Sequence, residues 1–203
     1  MCVNNNLFKN NQQSGVTLVE LIVFIVIVGV AIVGVLKALQ VANRDSVDPL
    51  VRKQAMSIAE SLLQEIQQQP LTLCDPDDAN AGSAISTADC TVSQDKGGAA
   101  LTSPSPATES RYDNGNPLDN VADYGGFTMP GGGCAGICLP GDNAPLAGLA
   151  GYAANVAITR AGGGTPYAAM PSDVVLKILV TVTGPANTTV SLTGYRVRYA
   201  PNP

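Results

Sequence analysis

Cysteines, carboxylates and one serine–lysine combination are the residues whose types and spacing could do chemistry. The chain has five cysteines, Cys2, Cys74, Cys90, Cys134 and Cys138, and the last four follow a long apolar run. An even number of thiols in an exported segment fits two disulfides in an oxidising compartment. Four cysteines allow three pairings. Cys74 with Cys90 and Cys134 with Cys138 is favoured, because each bond closes a local loop, and the other two pairings stay open. A zinc site is not expected, since neither pair is spaced as CxxC and the chain has no His. The lack of His also removes the commonest general base. Ser172 with Lys177 could in principle act as nucleophile and base, but that lysine lies in a β-rich run and nothing marks the two as a pair. Asp75, Asp77 and Asp78 suggest calcium by type. Their spacing lacks the glycine and closing glutamate of an EF-hand loop, so an acidic, solvated loop is the better reading. The expectation is a protein that is not an enzyme and holds no cofactor and no metal.

Glu20 stands apart. It is the one charge in Ser14 to Leu36, SGVTLVELIVFIVIVGVAIVGVL. An ionised carboxylate in such a run costs about 2.5 kcal/mol or more in lipid, so it needs a partner. The segment Val16 to Leu36 is 21 residues long. As a helix it would span about 30 Å, the thickness of a bilayer's hydrocarbon core. A secretory signal reads basic, then apolar, then a small-residue cleavage site. Here the small residue, Gly15, precedes the apolar run, and the polar stretch before it carries one lysine, Lys9. Cutting at Gly15 would remove the polar leader and keep the hydrophobic helix.

The flanking charges and the cysteines disagree about orientation. Lys37, Arg44, Arg52 and Lys53 on the C-terminal side would favour the cytoplasm. Disulfide-compatible cysteines favour export. Asp45 and Asp48 mark the flank as an ordinary mixed helix surface, so the cysteines decide.

Four regions follow: a leader over 1–15, an apolar helix over 16–36, an amphipathic helix over 37–69 and a head over 70–203. In the second helix Val51, Ala55, Ile58, Ala59, Leu62 and Ile66 keep helical spacing on one face. Glu60, Gln64, Gln67 and Gln68 fall elsewhere around it. Asp48 and Pro49 restart or kink the helix, and Pro70 ends it. Residues 71–120 are crowded with turn formers and read as loop-rich. Further on, 121–130 holds a short strand, 151–161 alternates weakly, and 173–185 is the strongest strand. Within it 174–182 forms an antiparallel hairpin with 188–199, turned at Pro185-Ala186-Asn187. The fold class is α+β, a long N-terminal helix whose second half packs on a small antiparallel sheet. A net charge of −5 argues against a nucleic-acid partner.

The run Gly15-Val16-Thr17-Leu18-Val19-Glu20 resembles the N-terminal signature of type IV prepilins and type II secretion pseudopilins. In that signature a small residue precedes an apolar start and Glu is fifth in the mature chain. The resemblance implies cleavage between Gly15 and Val16 by a prepilin peptidase, N-methylation of Val16, and assembly of the apolar helices at the centre of a filament. It makes the new amine of Val16 in a neighbouring subunit the partner of Glu20. An α-amine has an ordinary pKa of about 7.7–8.0 and is largely charged at neutral pH. Gly29 and Gly34 read first as tolerated, since Gly is common in membrane helices, and a helix that loosens as it packs into a filament is the other reading. Three further stretches, 47–66, 121–127 and 193–200, are similar to MshD-type minor pilins of the mannose-sensitive haemagglutinin pilus.

The implied role is a structural, minor subunit of a type IV pilus supporting biogenesis and adhesion. A minor pseudopilin and a membrane-anchored adhesin that never polymerises are the alternatives. The implied partners are other pilin subunits, the prepilin peptidase, the inner-membrane assembly platform and the membrane itself. The implied location is the inner membrane with the head in the periplasm, then an extracellular pilus.

Overall fold

A computed structural model describes residues 15, 17–94, 100–101 and 104–198, with backbone alone for 41–48 and 100. Residues 1–14, with Cys2 and Lys9, and Val16 lie outside the described residues, as do the side chains of Arg44, Asp45 and Asp48. The chain divides into two units, Met1–Val47 and Asp48–Pro203. One helix, α1 (Leu18–Gln68), contributes to both.

In the first unit α1 begins at a hydroxyl cap. The Glu20 amide donates to Thr17 Oγ1 at 3.3 Å, and the Leu21 amide donates to the Thr17 carbonyl at 3.2 Å. Thr at the cap with Glu three residues on is the sequence of a capping box. The helix then runs through Val and Ile, which form helix poorly in water. Its segment Leu18–Gln40 is 23 residues long with a mean hydropathy of 3.1, and none of it is buried. By length and composition it can cross a membrane. It reaches past Lys37, four residues beyond the boundary at Leu36 expected from the sequence.

Pro49 lies inside α1. A proline there removes one backbone donor from the helix. Beyond it the apolar stripe takes over: Val51, Ala55, Ala59, Leu62 and Ile66 are buried and Ile58 is half-buried beside them. Arg52, Lys53, Ser57, Glu60, Ser61 and Gln64 between them are exposed, while Met56 and Leu63 pack partly buried against the core.

The sheet lies within the second unit. Its strands are β1 (Ala100–Leu101), β2 (Thr128–Met129), β3 (Ala153–Arg160), β4 (Val175–Thr183) and β5 (Thr189–Val197). All pairings are antiparallel in the order β1-β3-β4-β5, with β2 also on β3. β1 meets Ile158 and Thr159, and β2 meets Ala154 and Asn155, so the two short strands share one edge. Period-two alternation decides the inner face. Ala154, Val156 and Ile158 of β3 and Ile178, Val180 and Val182 of β4 are all buried. They join Leu62, Ile66 and Tyr124 in one core. At Gly194 of β5 a Cβ would meet the ends of two side chains, Gln67 Nε2 at 2.6 Å and Leu63 Cδ1 at 2.9 Å, which would have to swing aside for a larger residue. Gln67, expected away from the packing face, is therefore half-buried on this glycine.

The hairpin of β4 and β5 turns at Pro185–Asn187, with Ala186 and Asn187 at φ 55° and 58°. The strand expected in 121–130 is shorter than its range. Val121–Tyr124 is a 3-10 turn, because Asn120 and Asp123 cap each other: Asn120 Oδ1 accepts from the Ala122 amide, and Asp123 Oδ2 accepts from the Asn120 amide, each at 2.9 Å. Only Thr128–Met129 is strand. The described residues of 71–120 are loop-rich, and a disulfide joins Cys74 to Cys90. A second disulfide joins Cys134 to Cys138.

Candidate functional site

The N-terminal candidate is built by the start of α1. Gly15 and Glu20 are both exposed, and Val16 lies outside the described residues. Among the described residues no ion pair of Glu20 is found. Leu18, Val19, Leu21 and Phe24 around it are 54–73 % exposed. That much apolar surface on one segment marks an interaction surface or a membrane segment. Gly29 and Gly34 meet nothing within 4 Å where a Cβ would be added, so packing within the described chain does not require them.

The head carries two polar clusters that sequence reading missed. In the first, Arg111 reaches α1 from the loop. Its Nε donates to Glu65 Oε1 at 2.7 Å and its Nη2 to Glu65 Oε2 at 2.8 Å. The pair is bidentate, the strongest geometry for a guanidinium and a carboxylate. Nη1 donates to the Cys138 carbonyl at 2.8 Å, and Tyr124 Oη donates to Glu65 Oε1 at 2.9 Å. The guanidinium also lies 5.8 Å and 5.7 Å from the Tyr112 and Phe127 ring centroids. Burial works against the Arg111 charge, but the hydrogen bond and charge of Glu65 outweigh it and its pKa stands above the ordinary value. Burial, with the Glu65 charge, pushes the Tyr124 hydroxyl up as well, so it stays a donor. This cluster ties α1 to the loop before β2 and to the Cys134–Cys138 loop.

The second cluster corrects the reading of the aspartate trio as one solvated loop. Asp77 is exposed, and Asp78 accepts the backbone amides of Asn80 and Val92 at 2.9 Å and 2.6 Å. Asp75 is buried, and it meets Glu109 and Asp119 with carboxylate oxygens within 4.8 Å of one another. Burial raises the Glu109 carboxyl to about 9, helped by its hydrogen bond to Asp75 and by the charges of Asp123, Asp75 and Asp119. Burial and the charges of Asp75 and Asp123 raise Asp119 to about 6. Ser172 lies before β4, and Lys177 lies within it opposite Tyr195.

Compared with models of protein families, residues 10–36 match the prokaryotic N-terminal methylation motif. No curated protein and no solved structure matches the chain. The class is therefore defined by two things, an α+β fold with a long N-terminal apolar helix and a type IV prepilin-like motif at its start. That motif is the kind that opens type IV pilin-like and pseudopilin-like proteins. The narrower likeness to minor pilins of the mannose-sensitive haemagglutinin pilus has no support in these matches.

Proposed function

We propose that the protein is a structural, minor subunit of a type IV pilus. It is cut between Gly15 and Val16 by a prepilin peptidase, methylated on Val16, and handed to an inner-membrane assembly platform. The head then lies in the periplasm until the subunit enters an extracellular filament with other pilins. One observation carries this reading: the helix Leu18–Gln40 is apolar and entirely exposed, and it begins next to a glycine junction with a single carboxylate. Lipid covers such a surface before assembly, and neighbouring helices cover it afterwards. Glu20 then meets the Val16 amine of an adjacent subunit, so cleavage frees the helix and creates the cation its carboxylate needs. The exposed start of α1 supports access by a peptidase, and the two disulfides suit a head that folds outside the cytoplasm. Co-expression with a prepilin peptidase tests this. Mass spectrometry of the mature chain is expected to give an N-terminal peptide that starts at N-methylated Val16. An uncut chain, or one cut elsewhere, contradicts it.

A further inference from the structure

The charges of the head are segregated along the chain. Residues 70–142 hold ten acids and two bases. Residues 143–198 hold four bases, Arg160, Lys177, Arg196 and Arg198, and one acid, Asp173. That acid is paired with Arg198, whose Nη1 donates to Asp173 Oδ2 at 3.2 Å. No Asp or Glu stands in any strand of the sheet. A protein of net charge −5 therefore keeps its sheet free of negative charge.

Period-two alternation puts Thr159, Lys177, Thr181, Ser191, Thr193 and Tyr195 on the outer face, opposite the buried Ile158, Ile178 and Val180. Thr159, Lys177 and Tyr195 stand in register as one row across three strands. At the usual strand spacing that row is about 10 Å wide. The Tyr195 ring is 38 % exposed, and the Tyr167 ring steadies it at 5.2 Å between centroids with the planes at 55°. The loop before β4 holds Tyr167 there, because its carbonyl accepts the amides of Gly163 at 3.1 Å and Met170 at 3.0 Å. Two rows further along, the Thr181 and Ser191 hydroxyls bond at 3.1 Å. Among the described residues no carboxylate pairs with Lys177. A solvated sheet face needs polar residues. It does not need a ring pair held out beside a lysine without a counter-ion.

We infer that this face binds an acidic polysaccharide. A sugar ring lies on the Tyr195 ring, its carboxylate meets Lys177, and its hydroxyls bond to Thr159 and Thr193. A tyrosine ring offers a broad contact surface with little side-chain freedom to lose. Charge complementarity selects an acidic polymer over a neutral one. Ring spacing selects against single-stranded nucleic acid. Stacked bases are about 3.4 Å apart, so a base between two rings needs that distance on each side. The two rings, at 5.2 Å, leave no such gap and form one platform. Nucleic acid also carries a charge on every residue, and a protein of net charge −5 repels so dense a polyanion. The face belongs to the head alone, so this binding goes beyond the filament reading and does not rest on it.

The test titrates the full chain, in a non-ionic detergent, with polygalacturonate, and in parallel with dextran and a single-stranded oligodeoxynucleotide. Polygalacturonate is expected to bind, and to bind more weakly as salt rises. Dextran should bind at least about fivefold more weakly, since it lacks the charge. Tyr195→Ala should weaken the polygalacturonate complex about tenfold, and Tyr195→Phe, which keeps the ring, should bind within about twofold of the parent. Lys177→Ala should weaken it about fivefold, while Lys177→Arg, which keeps the cation, should bind as the parent does. Arg52→Ala removes the same charge from the exposed surface of α1 and should leave binding unchanged. No polygalacturonate binding, dextran bound as tightly, an equal loss in Arg52→Ala, or an equal loss in Tyr195→Phe and Tyr195→Ala would each overturn the face. Tighter binding of the oligodeoxynucleotide than of polygalacturonate would overturn it as well.

Discussion

The two ends of α1 treat the same residue types in opposite ways. From Leu18 to Leu39 the Val, Ile and Leu side chains are exposed, while Val51, Leu62 and Ile66 further along are buried to 9 % exposure or less. Charges show the same reversal. Glu20 has no ion pair among the described residues, whereas Glu65 is held by Arg111 in a bidentate pair. The second stretch finds its partners within the chain. The first stretch presents the same chemistry with those partners missing. The lesson is that the head is stabilised by the chain itself and the N-terminal helix by what surrounds it.

The largest effect should come from breaking the paired charge. Arg111→Ala takes the counter-ion from the Glu65 carboxylate, which keeps only the Tyr124 hydroxyl, and leaves the Cys138 carbonyl without its donor. Urea unfolding of the head is expected to show a loss of about 3–5 kcal/mol, the usual cost of leaving half of a buried pair. A loss below about 1 kcal/mol would mean that the pair is solvated. Leu62→Ala and Leu21→Ala sharpen the contrast between the stretches. The first opens a cavity and should cost about 2–5 kcal/mol. The second should leave the same unfolding transition unmoved, and equal shifts would erase the distinction drawn between the stretches. Next come the disulfides. In a chain-entropy account, replacing Cys74 and Cys90 by Ser should cost about 3 kcal/mol, because 16 residues separate them. Replacing Cys134 and Cys138, separated by 4, should cost about 2 kcal/mol by the same account, so the order of the two losses checks it.

Local patterns made the N-terminal motif and the main sheet legible. Gly15, Glu20 and the apolar run are neighbours in the chain, so their relation is visible without folding. The alternation in 151–161, 173–185 and 188–200 places β3, β4 and β5 within a few residues of their observed bounds. The head's polar clusters were not legible, because their members come from irregular loops with no period. Arg111 and Glu65 stand 46 residues apart. One signal was there: Arg111 is the only basic residue between Lys96 and Arg160, set among acids, and a lone cation in a fold needs a partner. The turn at Val121–Tyr124 could also have been found, since Asn120-x-x-Asp123 is a variant of the capping box.

The central claim is that neighbouring subunits cover the first stretch of α1 and that Glu20 is where they register. Quantifying Glu20→Ala in sheared filaments, beside the fraction of the chain that has been cut at Gly15, tests it most directly. The account predicts normal cleavage and a filament content reduced about tenfold or more, as expected when a charge in an apolar setting loses its partner. Parent-level incorporation of the cut Glu20→Ala chain would contradict it.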